Sequence, residues 1–229
     1  MTNGSFDSQH VAPHPFRDRH EAGRLLATRL QRFAGRRDVV VLALPRGGVP
    51  VAYEVATALG VPLDVFTVRK LGVPGHEELA MGAIASGETC ILNPGVIEAL
   101  GITRPEVAAV VERERREFAR RELLYRDGRP APNLEGKTVI VVDDGLATGA
   151  SMLVALEALR KKNPQSIVVA VPTAPSETCA AMSAHADEVV CYATPDPFFG
   201  VGSWYRDFSQ VTAAEVRTLL NHASLRSAS

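Results

Sequence analysis

The stretch Thr138 to Ser151, TVIVVDDGLATGAS, constrains this chain more than any other. Val139 to Val142 is an unbroken run of β-branched residues. It ends in the acidic pair Asp143-Asp144, and a loop of Gly, Ala, Thr and Ser follows before helix-forming sequence begins. Such a run is a buried strand that delivers chemistry at its carboxyl end. In an open α/β sheet, ligands bind just outside the strand ends, and a small-residue loop opening a helix offers clustered N–H donors to an anion. Two carboxylates beside a phosphate cradle would repel a bare phosphate ion, so the ligand must also offer groups that donate to them. A sugar phosphate does so: vicinal hydroxyls reach Asp143 and Asp144 while the phosphate lies in Ala147 to Ser151. Asp-Gly and Thr-Gly alone are ordinary turn formers; the reading rests on strand, acids, loop and helix coinciding.

A second strand-to-loop junction supports it. Asp38 to Leu44, DVVVLAL, is apolar without alternation, as in a strand covered on both faces, and runs into Pro45-Arg46-Gly47-Gly48. The glycines let backbone approach a ligand closely, and Arg46 suits bidentate contact with phosphate. Helix is expected from Val49 to Leu59, then a strand from Leu63 to Arg69 ending in the cations Arg69 and Lys70. Leu71 to Glu88 carries His76, Glu77 and Glu78 on a long arm; Ala83–Ser86 and Cys90–Asn93 can also pair as a hairpin.

The remaining elements alternate. Arg17 to Phe33 has helical apolar spacing and reads as a packing helix outside the sheet. Pro94 to Leu100 is a short helix. Thr103 and Glu106 form a capping box, opening a long helix to about Tyr125 that buries Val107, Val110, Val111, Phe118 and Leu124, with Glu112–Arg116 and Glu117–Arg121 at i,i+4 spacing. After Ser151 come a helix to Asn163, a strand Ser166–Val171, a helix Ser176 to about His185, a strand Glu188–Tyr192 and a last helix from Thr212 to His222. The alternation predicts an α/β fold with a doubly wound, mostly parallel sheet. Ala193 to Phe208 breaks the pattern with five aromatics, which suit a flat heterocycle or plug the end of the core.

The Asp-Asp loop resembles the motif that binds phosphoribosyl pyrophosphate (PRPP) in type I phosphoribosyltransferases, over roughly residues 38–208. The resemblance implies a fold with a flexible hairpin lid (about 70–92) and a C-terminal hood (about 193–210). It assigns the PRPP cradle to Asp143, Asp144, Gly145, Ala147, Thr148, Gly149, Ala150 and Ser151, and pyrophosphate binding to Arg46, Gly47 and Gly48, where a non-proline cis peptide sometimes occurs. Arg69 and Lys70 would meet charge developing on the leaving group, Glu77 or Glu78 would accept a proton, and Phe199, Val201 and Trp204 would contact the base. Mg²⁺ is the implied cofactor, held by Asp143 and Asp144 directly or through water. The implied reaction transfers phosphoribosyl to a nitrogen nucleophile. Ala147 stands where 6-oxopurine enzymes carry an aspartate, so a different small heterocyclic acceptor is expected. A PRPP-sensing module without turnover, or a hydrolase or phosphorylase of ribose phosphates, remains open.

The whole chain is compatible with this. Its 229 residues allow one good-sized core, and a net charge of −1 supplies no basic field for nucleic acid. No apolar run approaches the roughly 18 residues that span a membrane. Residues 1–15 are expected to be a disordered tail, 16–223 a single domain and 224–229 a frayed end. No secretion signal is visible, and Cys90, Cys179 and Cys191 read as buried thiols in a reducing cytoplasm. The family resemblance is compatible with a homodimer, the sequence itself gives no oligomeric state, and no nucleic acid or membrane is expected as a partner.

Overall fold

The computed structural model describes residues 15–86, 89–126 and 128–227. The expected tail at 1–14 and the Glu117–Arg121 pair lie outside what it describes. Five strands form a parallel sheet: β1 (Val39–Ala43), β2 (Leu63–Val65), β6 (Thr138–Val142), β7 (Ser166–Thr173) and β8 (Glu188–Ala193), in the order β2-β1-β6-β7-β8. Every residue of β1 and β6 is buried. Alternate side chains feed opposite layers. Val39, Val41 and Ala43 face a core shared with α1 (Arg19–Thr28), α2 (Gly48–Leu59) and α7 (Ala213–Ser227). Val40 and Leu42 face one shared with α5 (Ala150–Arg160) and α6 (Ser176–Met182). The unalternating apolar runs are thus explained by helices on both faces, and the doubly wound α/β architecture is borne out.

The helix following β1 packs on one face and the helix following β6 on the other, so the winding reverses between these two strands. Ala43 and Val142 pair in register there, and the Leu44 N–H donates to the Val142 carbonyl at 2.9 Å. A crevice at such a reversal is where open α/β sheets take ligands.

The chain between β2 and β6 differs from expectation. The single strand expected over 63–69 is two: β2 stops at Val65, and β3 (Val68–Val73) joins β4 (His76–Ala85) and β5 (Thr89–Leu92) in a separate antiparallel sheet. Arg69 and Lys70 therefore lie within a hairpin strand, paired with Ile84 and Ala83, and not at a carboxyl end of the parallel sheet. Leu71, Val73, Met81 and Ile84 pack against Val110 and Phe118 of α4 (Arg104–Arg126), with the short α3 (Pro94–Ala99) alongside. The α4 start is capped as expected, by Thr103 and Glu106. Its other end is fixed by Arg126, which bonds Asp64, Glu122 and the Val65 carbonyl. Tyr125 is buried there, and Leu124, expected in the core, is exposed.

Two further corrections concern the ends of the chain and the cysteines. α7 continues to Ser227, past the expected stop at His222. Cys179 and Cys191 form a disulfide and are not free thiols, because α6 packs directly on β8; Cys90 keeps its thiol. Among the described residues, no helix is long and apolar enough to cross a membrane.

Candidate functional site

The loops after β1 and β6 meet at the reversal. Their fit depends on two glycines with no room for a side chain. A Cβ on Gly47 would stand 2.1 Å from Asp144 Oδ2, and one on Gly48 would stand 2.7 Å from the Val142 carbonyl oxygen and 2.9 Å from Asp143 Cα. Arg46, joined to Pro45 by a cis peptide, is exposed at the mouth. The structure thus brings Gly47 and Gly48 against the acid pair, with Arg46 exposed next to them in the chain.

The loop beyond the acids is backed by α6 and β7. Leu146 N–H donates to the Thr173 carbonyl at 3.0 Å, and Thr178 Oγ1 donates to the Ala147 carbonyl at 2.9 Å. Gly149 adopts φ +72°, a conformation that favours glycine, and it sits beside Met182 and Thr178 of α6. Helix α5 starts at Ala150, while Ala147, Thr148, Ala150 and Ser151 remain exposed. N–H groups at a helix start, presented by an open small-residue loop, suit an anion.

The two acids are not equivalent. Asp143 accepts from the Asp144 N–H at 2.9 Å, and no ion pair to it exists among the described residues. Burial, and then the neighbouring charge of Asp144, push its carboxyl well above the usual range. Asp144 is also pushed up by burial, but its Oδ2 accepts from Arg19 Nε at 2.8 Å, which pulls the other way. Its carbonyl accepts from Tyr205 Oη at 2.5 Å, and burial raises that phenol's pKa above the usual value.

Arg19 and Tyr205 are site residues absent from the sequence reading. Tyr205 lay in the aromatic stretch without standing out there. No local pattern marks Arg19, which reaches Asp144 from 125 positions away because α1 packs closely on α2: a Cβ on Gly23 would come 2.5 Å from the Val51 carbonyl oxygen. This corrects the view of α1 as mere packing.

The hood is built from both ends of the described chain. Phe16 N–H donates to the Trp204 carbonyl, and Arg206 N–H donates to that of Phe16, both at 2.8 Å. Val201 reaches the loop, its Cγ1 2.6 Å from where a Gly145 Cβ would be. Trp204 is half-buried beside Phe16 and Tyr205, and Phe199 is 82% exposed. The lid candidates are not drawn in. Arg69 pairs with Glu114 of α4; Lys70, Glu77 and Glu78 are exposed. No hydrogen bond or ion pair among the described residues links these four to the 143–151 loop.

Comparison with known proteins fits this geometry. A family model described as a phosphoribosyl transferase domain matches residues 19–205. A protein of Mycobacterium tuberculosis, provisionally named a phosphoribosyl transferase in two strains of that organism, is 46% identical over 208 residues. That alignment covers 91% of this chain and 47% of that protein, so the chain spans about half the length of the curated relatives it matches. A crystal structure of a Thermus thermophilus protein superposes with a TM-score of 0.80 at 42% identity, covering 91% of this chain and 98% of that one.

Proposed function

From the premise that the chain belongs to the phosphoribosyl transferase domain family, we propose that it transfers the 5-phosphoribosyl group of PRPP to a nitrogen of a small heterocycle other than a 6-oxopurine, releasing pyrophosphate. The observation that carries this is the junction of Gly47-Gly48 with Asp143-Asp144 beside an open anion loop, at the point where the sheet reverses. One junction offers both an acid that accepts from ribose hydroxyls and a glycine turn that backbone-binds a second phosphate group.

In this reading Asp143 and Asp144 accept from the ribose hydroxyls, Asp144 in competition with Arg19, and Ala147 to Ser151 hold the 5′-phosphate through backbone N–H groups and the Thr148 and Ser151 hydroxyls. Fixing the ribose this way lowers the entropic part of the barrier. Arg46 meets the pyrophosphate, and Lys70 adds positive charge when the hairpin folds over, excluding water. Arg69 stays with Glu114 and supports the hairpin base. Glu77 or Glu78 accepts the proton that leaves the nucleophile. Phe199, Val201 and Trp204 offer the acceptor an aromatic and apolar surface.

Mg²⁺ suits the donors present. No group of three or more His, Cys, Asp or Glu poised for a metal exists among the described residues, and Asp144 is shared with Arg19. A Mg²⁺ site built from one or two carboxylates, substrate phosphate oxygens and retained waters needs no more than that. When bound, the ion would neutralise charge on the leaving pyrophosphate. Asp143 and Asp144, directly or through water, are the residues to hold it.

The test is to mix protein, Mg²⁺ and PRPP with a panel of nucleobases and measure pyrophosphate. Base-dependent release is expected. Base-independent release would favour hydrolysis, and saturable binding without turnover would favour a sensing role.

A further inference from the structure

Arg19 holds two parts of the molecule at once. Its Nε donates to Asp144 Oδ2 at 2.8 Å, and its Nη1 donates to the Ser209 carbonyl at 2.8 Å. Its guanidinium carbon lies 4.0 Å from the centroid of the Phe208 ring, within the range of a cation–π contact. The Arg19 and Asp144 side chains are only 10% and 15% exposed. A guanidinium commonly grips a carboxylate through two parallel N–H bonds. Here the fork is divided, one arm on the acid pair and the other on the hood. A second link runs beside it: Tyr205 stacks on Phe208 at 5.1 Å and donates its hydroxyl to the Asp144 carbonyl. The base of Arg19 is itself fixed, because Asp18 caps α1 through the Glu21 N–H at 2.7 Å and Gly23 seats the helix against α2.

A partner with two claims on it transmits changes between them. A ribose hydroxyl or a metal-bound water donating to Asp144 competes with Arg19 for the carboxylate, and the guanidinium then shifts its balance toward Ser209 and Phe208. We propose that Arg19 is a positioning residue that couples the acid pair to the hood, so that occupancy of the donor site at Asp144 sets the order of the segment that receives the acceptor. The ligand half of this inference rests on the reading of the cradle as a PRPP site; the coupling itself belongs to the ligand-free protein.

Two experiments separate these parts. Backbone hydrogen exchange without ligand is compared for wild type, Arg19→Met, Arg19→Lys, Phe208→Leu and the Arg19→Met/Phe208→Leu double variant. A shared hydrogen-bonded residue predicts that Arg19→Met speeds exchange about five- to tenfold in both 143–149 and 199–209. Phe208→Leu should speed it in both segments, and the double variant should add little beyond Arg19→Met. Arg19→Lys keeps a charge for Asp144 but has no planar face for Phe208, so it should protect the loop and release the hood. Changes confined to one segment in Arg19→Met or in Phe208→Leu, or additive effects in the double variant, would overturn the coupling.

The second experiment titrates PRPP with Mg²⁺, following heat and the emission of Trp204, the chain's single tryptophan. In wild type both signals should saturate at the same concentration. In Arg19→Met the Trp204 change should be lost even at PRPP concentrations that saturate the heat, whatever affinity remains. A Trp204 response unaltered in Arg19→Met contradicts the proposal. Absence of heat in wild type would reject the PRPP reading, and the exchange result would still decide the coupling.

Discussion

The carboxyl edge of the parallel sheet and the antiparallel hairpin layer hold their charges in opposite ways. At the parallel edge, Asp143 and Asp144 follow a strand whose residues are all buried, and the surrounding loops leave no room even for a methyl group at Gly47 or Gly48. In the hairpin layer, the first five residues of β4, including Glu77 and Glu78, are exposed, and only the base is packed against α4. The first region is built before a ligand arrives. The second has its polar groups in solvent, and Arg69, the cation nearest its base, is already committed to Glu114. Preorganisation suits binding of a donor whose phosphates and hydroxyls must meet fixed partners. A layer anchored at one end suits closure over that donor.

The sharpest way to break this contrast is to spoil the fit at the fixed region alone. Gly47→Ala places a methyl carbon against Asp144 Oδ2, and misplacement on that scale should cost about 100-fold or more in PRPP affinity. Calorimetry checks it, with melting of the hairpin layer expected to stay unchanged.

The anchor of the hairpin layer can be tested next. Burial pushes Glu114 up, but hydrogen bonds and charge from Arg69 and Arg113 more than offset this and leave its pKa below the usual 4.5. A lowered carboxylate contributes stability that is present above its unfolded value and lost as pH falls through the folded one. Glu114→Gln should therefore destabilise the protein at neutral pH, by about 1 kcal/mol or less for a partly solvated pair, with the difference from wild type shrinking below pH 4.5. Thermal melts across that range measure it.

Within the exposed strand, Glu77→Gln and Glu78→Gln should leave PRPP affinity alone, and one of them should slow single-turnover rates by about tenfold or more. Unchanged rates in both would remove the proton-acceptor role. The smallest effect is expected at Phe199, which is 82% exposed: Phe199→Ala should change stability by less than about 0.5 kcal/mol while raising the acceptor concentration needed for half-maximal rate.

The same contrast explains what was legible in the sequence. Strands such as Val39–Ala43 and Thr138–Val142 announce themselves because burial on both faces demands continuous apolar residues. The loops after them are readable because small residues and acids have few other reasons to coincide there. The hairpin layer was harder: Leu63 to Arg69 reads as one strand, and the break at Phe66-Thr67 carries neither glycine nor proline. Arg19 was invisible for another reason. Its role depends on where α1 is seated by Gly23, a tertiary fact with no local trace, and Cys179 and Cys191 likewise meet only through the packing of α6 on β8.

The central claim is that Asp143, Asp144 and the loop after them form a PRPP cradle. It is tested most directly by titrating PRPP with Mg²⁺ into the wild-type protein and into the Asp143→Asn/Asp144→Asn variant, with heat as the readout. Saturable binding to wild type and none to the variant is the result the account predicts. Tight binding by the variant, or no binding by the wild type, would contradict it.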